Sequence, residues 1–281
     1  MITKPRLDLD AYFNRIGYNG PQAATLDVLN GIIAAHTRRI PFENIDVLLG
    51  RKIELDADSI QRKLIDNRRG GYCFEQNGLM LMVLDALGFE VKPLSARVRI
   101  GHPRDFTPPR THLFTRVEIE GVSWLVDVGV GGLTPTSAIR FELDVEQPTP
   151  HEPRRIIREN GVYFHQARLG AEWADVYEFT MEEMPQIDRE VSNWYTCAHH
   201  QSPFKNRLLA ALAGENGKRY TLLNDEFTVR DADGQATKRR LASHEELRHI
   251  LEQCFGVQLE AETALRLFNL QANRFDAEVM N

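Results

Sequence analysis

The chain has 281 residues, 42% hydrophobic and 26% charged, which suits a globular protein with room for two domains or one body with an appended lobe. A net charge of −6 argues against a nucleic-acid binder held through its phosphate contacts. Cys73, Cys197 and Cys254 form neither an even framework nor a CxxC pair, so free thiols in a reducing compartment are the simpler reading.

The first ninety or so residues read as mostly helical. Leu9, Tyr12, Phe13 and Ile16 share one helical face that ends near Gly17. A second helix starts with Thr25 as N-cap, buries Leu26, Leu29, Ile32 and Ile33, and stops before Pro41. Phe42-Glu43-Asn44 leads into a short extended stretch, Asp46 to Leu49. A third helix from Asp58 to Asn67 turns Ile60, Leu64 and Ile65 inward and delivers the chain to Gly70-Gly71. Met80, Val83, Leu84 and Leu87 then recur at helical spacing, with Gly88 as the stop. The longest apolar stretch, Leu79 to Phe89, is interrupted by Asp85 and too short to cross a bilayer, and the N-terminus shows no apolar signal core. A cytoplasmic protein with no membrane or nucleic-acid partner is expected.

After Gly88 the period changes to that of strands. Val91, Leu94, Ala96, Val98 and Ile100 fit a half-buried strand, with Pro93 marking an edge or a bulge near its start. Pro103, Pro108 and Pro109 make 101–110 a loop. Strands resume over Thr111 to Glu120, turn about Gly121 and return from Trp124 to Val128, ending at Gly129-Val130-Gly131-Gly132. Val162 to Leu169 and Trp173 to Thr180 form a hairpin around Gly170-Ala171. Pro185 forbids one uninterrupted helix between Met181 and Gln201. A strand pair over Tyr220–Leu223 and Glu226–Arg230 precedes a helix capped by Ser243 and Glu246 that buries Leu247, Ile250, Leu251 and Cys254. With no long linker, packed domains are expected at 1–88, 89–200 and 201–281.

The chemistry concentrates at Arg68-Arg69-Gly70-Gly71-Tyr72-Cys73. Cys73 falls in the first turn of a helix, where free N–H groups and the positive end of the dipole favour a thiolate. A buried Cys acting as a small hydrophobe is the bland alternative. A nucleophilic Cys needs a base and a group to orient it. His112 opens a strand after the proline-rich loop, and Asp127 lies on the returning strand. A two-residue turn at Gly121-Val122 or at Glu120-Gly121 sets His112 opposite Gly131 or Gly129. Either places Asp127 on the face of His112, four or two positions along; an odd-length turn would split them. The alternative is a surface His112 and an Asp127 paired with an arginine.

Arg68-Arg69-Gly70-Gly71-Tyr72-Cys73-Phe74-Glu75, His112 after Pro-Pro-Arg-Thr, Trp124-Leu125-Val126-Asp127-Val128-Gly129 and Ile40-Pro41-Phe42-Glu43-Asn44 together resemble the arylamine N-acetyltransferase family, in its bacterial branch. The resemblance implies an α+β multidomain fold: an N-terminal helical bundle, a central antiparallel β-barrel and a C-terminal α/β lid, in a papain-like cysteine-enzyme arrangement. It implies a Cys73–His112–Asp127 triad. It also implies a Glu43–Arg68 ion pair near the site, and an acceptor pocket walled by Phe42, Val98, Val130 and Phe204. Many relatives carry Phe where Val130 stands, so a reshaped aromatic pocket is expected.

Gly129, Gly131 and Gly132 with Thr134 are candidates to bring backbone N–H groups to the pyrophosphate of coenzyme A; a strand-ending turn explains the glycines equally well. No GxGxxG, P-loop or metal-ligand spacing is present, so no metal is expected. The expected reaction is a two-step transfer from acetyl-CoA, or another acyl-CoA, through Cys73 to an arylamine, arylhydrazine or hydrazide nitrogen, extending to the oxygen of N-arylhydroxylamines. The backbone N–H of Cys73 is the candidate oxyanion donor. A papain-like or transglutaminase-like hydrolase and a binding protein with a degenerate triad are the competing readings. The oligomeric state stays open, with a homodimer admitted.

Overall fold

A computed structural model describes residues 7–279, with side chains as far as residue 270. Asp8 and Thr25 accept the Ala11 and Val28 N–H groups, so α1 (Leu9–Ile16) and α2 (Leu26–Arg39) begin where a side chain satisfies an otherwise orphaned donor. Gly17, at φ 70, ends α1 as expected. Next come β1 (Phe42–Glu43), α3 (Ile45–Leu48), α4 (Ala57–Ile60) and α5 (Cys73–Ala86).

Two expectations change here. The stretch predicted as extended is the helical turn α3: the Glu43 carboxylate accepts the Ile45 N–H at 2.7 Å, and Gly50 at φ 74 follows. The third predicted helix exists, but α4 runs into a π-helical segment, Gln61–Asp66. Its wider turn ends with Arg68 at φ 51 and the Arg69 N–H bonded to the Lys63 carbonyl at 3.0 Å, which sets where the two arginines point.

The helices close a core through Tyr12, Ile16, Leu29, Ile32, Ile33, Leu79 and Val83, which packs against Val117 and Val126 of the first large sheet. That sheet comprises β2 (Glu90–Val98), β3 (His112–Ile119), β4 (Val122–Val126), β5 (Ile139–Arg140), β6 (Arg154–Glu159), β7 (Val162–Leu169) and β8 (Glu172–Glu183). Its order is β5-β4-β3-β2-β8-β7-β6, and bridges from Leu143 to Ile156 and from Gln147 to Arg154 bring the segment after β5 to β6. The sheet is thus a nearly closed barrel filled by Leu94, Phe114, Leu125, Ile156, Tyr177 and Phe179. The Pro93 strand is central rather than an edge; the irregularity is a bulge between Leu94 and Ala96 against β8.

Pro185 caps α6 (Gln186–Ala198), and α7 (Pro203–Asn206) follows. A second sheet uses β9 (Leu209–Ala213), β10 (Arg219–Leu223), β11 (Glu226–Arg230) and β12 (Ala236–Arg240), ordered β1-β9-β10-β11-β12. The predicted pair β10–β11 therefore lies inside a larger sheet. Its outer neighbours escaped notice because β9 is rich in small residues and β12 is exposed throughout, with Lys238, Arg239 and Arg240 protecting the edge. Phe42 pairs with Ala211, stitching the N-terminal segment to this sheet. On the sheet lie α8 (His244–Phe255), started by Ser243 and Glu246 as expected, and α9 (Ala261–Val279). No helix among the described residues is long and apolar enough to cross a membrane.

Candidate active site

Cys73 is the first residue of α5, and the path into it is tightly constrained. A Cβ on Gly70 would stand 2.2 Å from the Pro41 carbonyl oxygen, so only glycine fits. The Gly71 carbonyl accepts the Glu43 N–H at 3.0 Å. The Glu75 carboxylate accepts the Tyr72 N–H at 3.1 Å, which closes the first turn, while the Tyr72 hydroxyl donates to Asn193. Every residue from Cys73 to Met80 is buried, so the polar side chains of this helix must find partners inside the protein.

The hairpin between β3 and β4 decides where the other two groups meet the sulfur. Glu120 and Gly121 have φ of 51 and 76, and Thr115 pairs with Val126, the register of a two-residue turn at Glu120–Gly121. Continuing that ladder puts Asp127 opposite Phe114, on the face of His112 and two positions away. The His112 Nε2 and Asp127 Oδ2 atoms lie 2.7 Å apart. With Nε2 taken by Asp127, Nδ1 is the ring nitrogen left to serve Cys73. The sulfur also donates to the Thr111 carbonyl at 3.5 Å. Cys73, His112 and Asp127 are 4%, 1% and 1% exposed.

Burial by itself lowers the pKa of His112; the charge and hydrogen bond of Asp127, followed by Cys73, outweigh it and raise the value to about 10. Burial opposes ionisation of Asp127, yet the His112 charge, the Asn77 amide and the Gly129 N–H hold its pKa below the usual 3.8. The pair is accordingly an imidazolium–carboxylate at neutral pH, aimed at a sulfur on a helix N-terminus.

Asn77 is the residue that sequence reasoning missed. Its Nδ2 donates to Asp127 Oδ1 at 2.8 Å and to the Leu113 carbonyl at 2.6 Å, and its Oδ1 accepts the Val128 N–H at 2.8 Å. The Gly129 N–H supplies the second donor to Asp127 Oδ1, at 2.9 Å. Asn77 stands four residues after Cys73, one turn along the same helix face, and that spacing was the available signal. Tyr177 was also missed; its ring centroid is 5.4 Å from that of His112.

The expected Glu43–Arg68 pair is corrected. Glu43 accepts from Arg69 at 2.7 Å, while Arg68 is exposed and its carbonyl accepts from Arg15. The left-handed backbone at Arg68 hands the inward direction to its neighbour. Arg69 also approaches Asp46 at 3.6 Å, and Lys63 bridges Asp46 at 2.9 Å and Glu75 at 2.7 Å.

The predicted acceptor residues fall into two groups. Phe42 and Phe204, with ring centroids 6.1 Å apart, belong to the apolar cluster that contains Cys73 and Tyr72. Val98 and Val130 belong to the barrel cluster with Phe114 and Tyr177. Three of the four residues expected to form the amide cradle have their N–H groups engaged within the protein. The N–H groups of Gly129, Gly131 and Thr134 are already bonded, to Asp127, to the Thr134 hydroxyl and to the Gly131 carbonyl. Gly129 serves a close approach instead: a Cβ there would meet the Asn77 amide nitrogen at 3.0 Å and Cys73 Cα at 3.1 Å.

A family model described as N-acetyltransferase matches residues 25–264. The arylamine N-acetyltransferase of Mycobacterium tuberculosis H37Rv is 42% identical over 257 residues, 90% of each chain. A solved structure of the M. tuberculosis enzyme superposes with a TM-score of 0.89 at 40% identity, covering 92% of this chain and 99% of that one. The Mycobacterium marinum arylamine N-acetyltransferase in complex with CoA gives 0.89 at 36% identity, covering 93% and 98%. With a family model spanning most of its length and a nearly closed barrel shared with these structures, the chain belongs to the arylamine N-acetyltransferase family.

Proposed function

We propose that this enzyme carries an acetyl group from acetyl-CoA to the nitrogen of an arylamine, arylhydrazine or hydrazide, by way of a thioester on Cys73. The observation that carries the reading is the buried convergence of Cys73, His112 and Asp127, with the imidazole and carboxylate 2.7 Å apart. The CoA complex of the M. marinum relative supports the choice of donor.

In the first half-reaction the Cys73 sulfur, paired with the His112 imidazolium, attacks the thioester carbonyl. The carbonyl oxygen takes up the electron pair and is stabilised by the Cys73 N–H, which as the first helical residue has no carbonyl partner within α5. Collapse of this intermediate expels the CoA sulfur, which receives the proton from His112 Nδ1. In the second half-reaction the amine nitrogen attacks acetyl-Cys73, neutral His112 takes the amine proton, and the Cys73 sulfur leaves. Asp127 keeps the ring oriented throughout, and Asn77 and the Gly129 N–H keep Asp127 oriented. Phe42 and Phe204 form the acceptor wall beside the sulfur, with Val98 and Val130 on the barrel side. The third segment, 201–281, acts as the lid over a helical 1–88 and a barrel 89–200; its β9 pairing with β1 keeps it beside the strand that leads to Cys73.

Intact mass after exposure to acetyl-CoA alone is expected to rise by one acetyl group, mapped to Cys73 and discharged on adding an arylamine. Cys73→Ala should fold and gain no acetyl group. An acetyl group found only on lysine, or amide hydrolysis without any CoA, would overturn the reading.

A further inference from the structure

Behind the catalytic pair, the barrel interior holds a cation whose compensation is incomplete. The Arg154 side chain is fully buried. Its Nη2 reaches Glu152 at 3.1 Å, whereas Nε and Nη1 have no hydrogen-bond partner among the described residues. Glu152 is already shared. Arg219 binds it through two bonds of 2.6 Å, and Arg230 adds a third at 3.0 Å. One carboxylate therefore faces three guanidinium groups. Burial and the charge of Arg219 push the pKa of Arg154 down to about 10, the signature of a crowded cation.

A second orphan stands beside it. His165 is buried, and neither ring nitrogen has a partner among the described residues. In the β6–β7 ladder Arg154 pairs with Ala167 and Ile156 with His165, so Arg154 and His165 are diagonal neighbours on the interior face, about 7–8 Å apart at the backbone. The residue directly opposite Arg154 is Ala167, itself paired with Ala174, and such small side chains leave room beside the guanidinium. Water can satisfy the hydrogen bonds of such a space but not its charge.

We propose that this recess is a binding site for a small monovalent anion of chloride size, held by Nε and Nη1 of Arg154 and by the ring N–H of His165. The anion lies one side-chain layer behind His112, because the Tyr177 ring contacts both His165, edge-on at 4.8 Å between centroids, and His112, tilted at 5.4 Å. It offsets part of the excess positive charge of the buried cation cluster.

Crystals of the intact protein grown in sodium bromide and measured at the bromine edge are expected to show an anomalous peak beside Arg154 Nε and Nη1. In solution, the melting temperature should be higher in chloride than in gluconate of equal ionic strength. It should climb by roughly 3 °C per tenfold rise in chloride above its Kd. Arg154→Gln should abolish that difference, and His165→Leu, which keeps the cation, should move it to higher chloride. Should Arg154→Gln not fold, the bromide map and the His165→Leu titration still decide. An ordered water at the position in the bromide crystals, or identical melting in the two salts, overturns the proposal.

Discussion

Replacing Asn77 with alanine removes a side chain that ties the helix of Cys73 to the carboxylate of Asp127. The buried amide makes three bonds, to Asp127, Leu113 and Val128, and alanine removes all three in a buried site, although Asp127 keeps the Gly129 N–H and His112. Each orphaned group costs about 1–3 kcal/mol, so a loss of roughly 3 kcal/mol or more in stability is expected. The bond to ionised Asp127 is charge-assisted and worth about 1.5–3 kcal/mol. Expressed in the orientation of the imidazolium, that corresponds to roughly 10- to 100-fold slower acetylation of Cys73. Asn77→Asp separates scaffold from chemistry, because it keeps the acceptor for Val128 yet sets a second carboxylate against Asp127. One of the two must then hold a proton, and the acid limb of the rate profile should move to higher pH. Rapid-quench mass spectrometry of acetyl loading across pH, alongside thermal denaturation, reads both effects. A folded Asn77→Ala enzyme with the parent rate and pH profile would show that Asn77 only supports the fold, and the positioning role would be wrong.

Three other outcomes follow from the same geometry. The pKa of His112 is raised to about 10, so its contribution to stability is complete below the unfolded value of 6.5 and disappears as pH climbs through about 10. That of Asp127 is lowered, so its contribution is complete above 3.8 and vanishes as pH falls through the depressed value. The melting-temperature advantage of the parent over His112→Gln should thus persist from mildly acidic to weakly alkaline pH and shrink at both ends; an advantage that grows above pH 10 contradicts the assignment. Arg69→Met strands the buried Glu43 and should cost about 3–5 kcal/mol, whereas Arg68→Met, at an exposed position, should stay within about 0.5 kcal/mol in urea denaturation. Equal losses would contradict the pairing. Gly129→Ala pushes a methyl group to within 3.0 Å of the Asn77 amide and 3.1 Å of Cys73 Cα. It should cost about 1–3 kcal/mol and slow acetyl loading, and an unchanged melting curve would show that the contact relaxes freely.

Much of the architecture was written in local chemistry. Thr25, Ser243 and Gly17 mark helix ends through caps that act within one turn, so their readings needed nothing distant. The proposed grouping of Cys73, His112 and Asp127 was legible for the same reason. Cys73 sits between a glycine pair and a helical stripe, and His112 and Asp127 share a face in any two-residue turn of the hairpin that joins them. Choosing between the two registers required the backbone of Glu120 and Gly121, both left-handed. The amphipathic rule gave no help in finding Asn77, because a helix start buried on every side has no polar face against which a functional amide stands out.

What the sequence determined alone was most of the order of elements and the candidate reacting groups, since capping, periodicity and turn chemistry act over a few residues. Tertiary structure decided the partners. A π-helical turn gave Glu43 to Arg69 rather than Arg68, the Glu43 carboxylate folded 45–48 into a helix, and internal bonds engaged the amides of Gly129 and Gly131. Each outcome depends on which of several equally suitable donors or acceptors is brought within about 3 Å, a distance set by packing between elements far apart in the chain.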